Sequence, residues 1–186
     1  MVGAISRATK LLELLAAKSI SIYKIASVYY KSLVKEEVSL ASIKSTDKVL
    51  CIGGGPCPFS GILLHEYTGA YVTIIDNDNL SVRTARELVE KLGYADYIDV
   101  IHSDGNDIFP TDYDVIHMAL QVSPMDQVFC NMKKRCSFGS KILVRLPKKG
   151  LTKFYDINDH SIFINCYKKS VHNWRNVDST ALFVKS

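Results

Sequence analysis

The sequence predicts an α/β protein built on a mostly parallel sheet with helices on both faces. Three observations carry that prediction. Short runs rich in β-branched residues alternate with segments of helical periodicity, the first such run opens into a glycine loop, and the second stops at an aspartate. The chain has 186 residues, 47% of them hydrophobic and 23% charged. That length suits one domain, or one domain with a small appendage, which buries about 70% of its unfolded surface. The composition excludes a disordered, collagenous or coiled-coil protein.

From Ser6 to about Ile43 apolar residues recur at helical spacing: Leu11, Leu12 and Leu15, then Ile20, Ile22, Ile25, Val28 and Tyr29, then Leu33, Val38 and Leu40. Two or three helices are expected there. After Thr46-Asp47 the pattern becomes a β-type run from Lys48 to Ile52, which passes through glycines into a short helix finishing at Gly69. Tyr71 to Ile75 reads as a second strand, and Leu80 to Leu92 as a helix with Ala85, Leu88 and Leu92 inward and Gly93 as its C-terminal cap. Tyr97 to Ile101, Tyr113 to Leu120 and Lys141 to Leu146 are three further strands. Between the last two, Ser123-Pro124 is expected to open a helix, with Ser123 as N-cap. Ile162 to Tyr167 and Thr180 to Val184 complete seven strands. The polar stretch from Lys168 to Ser179 would join these two in a hairpin at one edge. There is no internal repeat.

Charge is uneven along the chain. Residues 1–50 carry eight basic and four acidic side chains, 51–129 three and twelve, 130–175 eleven and two. The basic block is a polyanion surface, such as an RNA face, a docking patch for an acidic small molecule, or simply a solvated face. Because Lys133, Lys134 and Arg135 fall where cations offset a helix dipole, the solvated reading is preferred. No stretch reaches the roughly 18 apolar residues of a membrane span, since Glu13 breaks the run from Leu11 to Ala17. No signal peptide is read. Five cysteines, an odd number without a C-x-x-C pair, point to a reducing cytoplasm.

In doubly wound sheets ligands bind beyond the carboxyl ends of the strands, which here are Gly53 to Ser60, Asp76, Asp104, Ala119 to Ser123, and Arg145 to Gly150. The loop Gly53-Gly54-Gly55-Pro56-Cys57-Pro58-Phe59-Ser60 lets backbone approach a ligand, and Asp76 is placed to accept hydrogen bonds from a ribose diol. That combination indicates a nucleoside cofactor, against the plainer reading of a glycine turn that serves only strand-to-helix packing. Pro56 and Pro58 lack N–H donors and no G-K-[ST] follows, so the loop is poorly suited to pyrophosphate. S-adenosylmethionine, which has no phosphate, fits better than NAD or ATP.

Over residues 46–186 this arrangement resembles the class I S-adenosylmethionine-dependent methyltransferases, a Rossmann-like fold with a mostly parallel seven-stranded sheet. Cys57 stands where their loop has its third glycine. A narrower resemblance accounts for the departure: nicotianamine synthases share the fold and carry G-x-G-P-x-P followed by an apolar residue and Ser/Thr, matched by Gly53, Gly55, Pro56, Pro58, Phe59 and Ser60. Asp76 and Asp78, Ala85-Arg86 with Leu88, Tyr113-Asp114-Val115 leading to Ala119, and Phe138-Gly139-Ser140 followed by Leu143-Val144-Arg145 also match that family's pattern. Asp104, preceded by His102-Ser103, stands one residue out of its register. In the helical N-terminus, Tyr30, Leu33, Glu37 and Leu40 echo a tyrosine-containing helix of the family. The chain resembles its compact archaeal and bacterial members.

The resemblance implies a helical cap over residues 1–45 and an S-adenosylmethionine-binding domain over 46–186. Cofactor contacts are expected from Gly53, Gly54, Gly55, Pro56, Ser60, Asp76, Asn77, Asp104, Gly105, Ala119 and Leu120. It further implies transfer of the 3-amino-3-carboxypropyl group to an amine, with methylthioadenosine leaving. The alternatives are methyl transfer to a small molecule or RNA, and a binding protein without catalysis. Tyr30 and Glu37 are the candidates to take the amine's proton, with Tyr29 and Glu36 as neighbours. Arg145 is the candidate partner of a substrate carboxylate, in competition with a structural salt bridge. The five histidines show no metal-ligand spacing, and no metal is expected. Tyr167 and Trp174 near Lys168 and Lys169 do not make a recognised RNA module. The expected partner is a small amine or amino acid.

Overall fold

The structure is a computed structural model that describes residues 13–172 and 176–186; the expected helical start at Ser6 and the residue Trp174 lie outside them. Residues 13–18 are helical. They are followed by α1 (Ile20–Ala41), β1 (Lys48–Ile52), α2 (Phe59–Thr68), β2 (Tyr71–Asp76), α3 (Asn79–Lys91), β3 (Ile98–His102), β4 (Val115–Met118), α4 (Met125–Arg135), β5 (Lys141–Pro147), two 3₁₀ turns (Lys149–Phe154 and Ser161–Phe163), β6 (Lys168–Val171) and β7 (Val177–Val184).

Seven strands form one sheet in the order β3-β2-β1-β4-β5-β7-β6. Strands β1 to β5 pair in parallel, and β7 runs antiparallel to both β5 and β6. The chain winds outward from β1 to β3, then returns to place β4 on the other side of β1. Between β1 and β4 the direction of winding reverses, which opens a crevice at their carboxyl ends. The sheet is covered on both sides because β1 and β4 carry buried apolar residues on both faces, His117 of β4 being the buried polar exception. Val49, Cys51 and Val115 join a core with α1, α2 and α3, whereas Leu50, Ile52, Ile116 and Met118 join a core with α4.

Local chemistry explains most element ends. Asp78 caps α3 by accepting the Ser81 N–H at 2.7 Å. Gly69, at φ 73°, ends α2 in the left-handed conformation that glycine adopts without a Cβ penalty. α1 ends on Ser42 in the same conformation, with Ile43 N–H returning to Val38 O.

Two expectations are corrected. The strand expected over Ile162 to Tyr167 is a 3₁₀ turn and loop, and the edge strand is Lys168–Val171, inside the stretch expected to be a connection. An edge strand buries little, and Lys168 and Lys169 are exposed, so its sequence lacks the apolar alternation of an inner strand. Ser123 does not cap α4; its hydroxyl donates to Asp156 Oδ2 at 2.7 Å, across a cis Ser123–Pro124 bond. Among the described residues no helix is long and apolar enough to cross a membrane.

Candidate active site

Two adjoining cavities open at the carboxyl ends of β1 and β4. The smaller, about 130 Å³, is lined by Ile52, Gly53, Asp76, Asn77, Asp104 and Gly105 among others. The larger, about 240 Å³, runs from the glycine loop to α1. Gly53, Asp76, Asn77 and Gln121 line both.

The glycine loop is held by backbone chemistry. Gly53 and Gly54 donate to Ile75 O, so the loop leaves β1 still tied to β2. Gly55 donates to Asp76 Oδ2 at 2.8 Å, and Asp76 Oδ1 accepts the Asp78 N–H at 3.0 Å. Gly55 has φ +66°, and a Cβ there would stand 2.6 Å from Glu13 Oε2. The left-handed conformation therefore disfavours a side chain at this position, and a Cβ would also have to displace the end of the Glu13 side chain. Asn77 donates to Asp104 Oδ2 at 3.4 Å, which links the ends of β2 and β3 across the smaller cavity.

Rings join this loop to the helical cap. Phe59, at the start of α2, lies between Tyr23 and Tyr30 of α1, with centroids at 5.4 and 4.8 Å and planes within 12° of parallel. Burial, with the Glu13 charge next, raises the Tyr30 phenol well above its ordinary value, so Tyr30 enters the larger cavity as a neutral hydroxyl. Tyr29 lines the same cavity and donates to Asn176 Oδ1 at 3.0 Å. Cys51 and Cys57 also line it. Burial pushes the Cys51 thiol up to about 12 and raises Cys57 as well, so neither supplies thiolate at neutral pH.

Arg145 lies near the carboxyl end of β5, on the α1 side of the sheet, and lines the larger cavity while only 4% exposed. Its Nε and Nη2 donate to Glu37 at 2.8 and 2.7 Å. Glu37 is 0% exposed and does not line the cavity. Burial alone would raise its carboxyl, but Arg145, then His117, and their hydrogen bonds outweigh that and hold it well below the carboxylate range. Glu37 is thus not positioned as the proton acceptor expected from the sequence: it stands behind Arg145 and His117 and stays ionised. His117, buried on β4, faces it at 3.2 Å; burial lowers the imidazole below its ordinary value despite the carboxylate, which leaves a neutral ring donating from Nε2.

The remaining candidates fall where their strand ends place them. Gly53, Gly54, Gly55, Pro56, Ser60, Asp76, Asn77, Ala119 and Leu120 line the larger cavity, with Tyr30 and Arg145 across from them. Asp104 and Gly105 line the smaller. Sequence reasoning missed Glu13, His117 and Asn176. Glu13 had a signal, a lone carboxylate inside an apolar helical run; so did His117, a lone titratable group in a buried strand. Lys133 to Arg135 close α4, while Lys168 and Lys169 sit on β6, so the basic block is divided between separate elements. Among the described residues no group of three His, Cys, Asp or Glu side chains is arranged to hold a metal ion.

Topology and cavity position define the class I S-adenosylmethionine-dependent methyltransferase fold. No family model matches the chain. Among solved structures it is similar to a mutant of MtNAS in complex with S-adenosylmethionine, with a TM-score of 0.80 and 23% identity, covering 97% of this chain and 75% of that one. MtNAS in complex with MTA and tNA gives 0.77 and 24%, covering 95% and 71%. An RNA methyltransferase from Salinibacter ruber in complex with S-adenosyl-L-homocysteine gives 0.65 and 16%, covering 83% and 90%. Among curated proteins the chain is 23% identical over 146 residues to L-histidine 2-aminobutanoyltransferase of Yersinia pestis, covering 78% of this chain. It spans about half that protein's length, 52%.

Proposed function

We propose that the protein transfers the 3-amino-3-carboxypropyl group of S-adenosylmethionine to the amine of a small acceptor of the amino-acid class. The observation that carries this reading is the larger cavity. Beside a loop suited to a phosphate-free nucleoside lies a chamber roofed by α1, with the Glu13 carboxylate and the Arg145 guanidinium in its wall. Such a chamber suits groups that carry both an ammonium and a carboxylate. The likeness to MtNAS and to the Yersinia pestis transferase supports the same choice over methyl transfer.

The residues present fit S-adenosylmethionine. Gly55 presents bare backbone to the larger cavity, Asp76 borders both cavities, and the two loop prolines withhold the N–H donors a phosphate would need. When bound, the molecule supplies a carbon activated by the adjacent sulfonium: an amine lone pair forms the C–N bond as the C–S bond breaks, its electrons going to sulfur to leave methylthioadenosine. In this reading Asp76 accepts the ribose hydroxyls, and Asn77, Asp104 and Gly105 border the base. Arg145 pairs with a carboxylate through the part of the guanidinium that Glu37 leaves unused. Glu13 takes the amine's surplus proton. Tyr30, kept neutral by burial, orients the amine by hydrogen bonding rather than receiving its proton.

Incubating the protein with S-adenosylmethionine and a panel of amino acids and amines, with products identified by mass spectrometry, tests this. Methylthioadenosine with a matching acceptor adduct is the expected result. Formation of S-adenosylhomocysteine would establish methyl transfer instead.

A further inference from the structure

Tyr23, Tyr30 and Glu37 lie seven residues apart on α1, and so do Tyr29 and Glu36. Seven residues make almost two helical turns, so each series forms a stripe along one face. The first stripe touches both halves of the site. Its two tyrosines clasp Phe59, which follows the glycine loop, and its glutamate grips Arg145 at the far wall of the cavity.

Beneath the glutamates the sheet presents a polar row. Arg145 on β5, Thr180 on β7 and Ser170 on β6 are direct cross-strand partners. Glu37 accepts four hydrogen bonds: Oε1 from Arg145 Nε and Thr180 Oγ1, both at 2.8 Å, and Oε2 from Arg145 Nη2 at 2.7 Å and His117 Nε2 at 3.2 Å. The seam continues outward. Thr180 gives its only hydroxyl proton to Glu37, so it accepts from His172 Nε2 at 2.9 Å, and Nδ1 of that ring meets Glu36 Oε2 at 2.8 Å. Ser170 donates to the same Glu36 oxygen at 3.2 Å. Three strands beside β4 are thereby addressed by two neighbouring residues of one helix.

Apolar packing holds a helix on a sheet by shape alone, without directional bonds. A buried carboxylate with four fixed donors adds a directional lock. We propose that Glu37 is a positioning residue for the acceptor half of the site. Through Arg145 and His117 it fixes the cavity wall, and through the stripe it sets the height and angle at which Tyr30 meets the cavity. The proposal rests on the transferase reading only for its kinetic consequence.

Glu37→Gln keeps the side chain's size and removes its charge, and is to be compared with wild type below its own melting temperature. Affinity for S-adenosylmethionine, measured by calorimetry, stays within about twofold, while kcat falls and acceptor KM rises by about tenfold to a hundredfold combined, the size of effect a small misplacement produces. The Tyr30 ring resonances, read by NMR without any acceptor, move from their wild-type positions. A variant that melts earlier but, while folded, turns over as wild type with unmoved Tyr30 resonances overturns the proposal and leaves Glu37 a structural lock. Should wild type transfer nothing to any acceptor, the transferase reading fails, and the Tyr30 resonances alone decide the role of Glu37. If Glu37→Gln does not fold, Glu37→Leu with Arg145→Met replaces the pair without stranding a buried charge, and its Tyr30 resonances are read in the same way.

Discussion

The two halves of the site are built by opposite means. On the nucleoside side the chain uses backbone amides and short-range links: the Gly55 N–H reaches a carboxylate 21 residues away, and Asp78 caps the helix that begins beside it. On the acceptor side it uses side chains brought together across the whole sequence, with Glu37 bonded to partners 80, 108 and 143 residues distant. Backbone amides persist through most substitutions. A buried charge cluster does not, because each member is compensated only by the others. Away from Asp76, Asp78 and the glycines the nucleoside side should therefore tolerate side-chain changes, and the acceptor side should fail sharply.

The sharpest break is Glu37→Ala, which strands Arg145 in the core and should cost about 3–5 kcal/mol, the usual penalty for removing one partner of a buried pair. Thermal unfolding measures it; a loss below 1 kcal/mol would mean that water reaches Arg145 freely.

Gly55→Ala attacks the other half. It places a Cβ at positive φ and against Glu13, and should cost about 1–3 kcal/mol together with weaker S-adenosylmethionine binding. Calorimetry of the variant decides whether the close approach at Gly55 matters for the ligand. By contrast Tyr30→Phe keeps the stack on Phe59, so affinity for S-adenosylmethionine should hold while turnover falls, by roughly tenfold to a hundredfold if its hydroxyl orients the amine. Unchanged turnover would remove Tyr30 from the chemistry.

Acid should unlock the acceptor side first. His117 is held below its ordinary imidazole value by burial, so the unfolded chain takes up a proton that the folded one refuses, and stability declines as pH falls below 6.5. Glu37 is held below its ordinary value of 4.5, so its contribution is complete above that pH and drains away beneath it. Melting temperature against pH should descend in these two stages, and His117→Gln should flatten the first. A first stage that persists in His117→Gln would assign it to another group.

The smallest expected effect sharpens the comparison from within the ring stack. Among the described residues the Tyr23 hydroxyl is buried with no hydrogen-bond partner. Tyr23→Phe should leave the stack in place and stabilise the fold by about 1 kcal/mol. A clear loss instead would show that this hydroxyl is satisfied by water.

What the sequence carried was what local chemistry encodes. Strand and helix periods, the glycine loop and the acid ending β2 are each specified within a few residues, and so are legible along the chain. The edge strand was less so, since β6 has no buried face to impose an alternating pattern. The partners of Glu37 were not written locally: its spacing from Tyr30 and Leu33 puts it on the inward face of α1, but nothing in that helix says what a buried carboxylate will meet there. Arg145, Thr180 and His117 reach it once the sheet has assembled and α1 lies across it. Glu13 likewise becomes a cavity residue only because its helix packs over the glycine loop. Periodicity records which way a side chain faces; whether a charge can remain there depends on partners that only folding brings within reach.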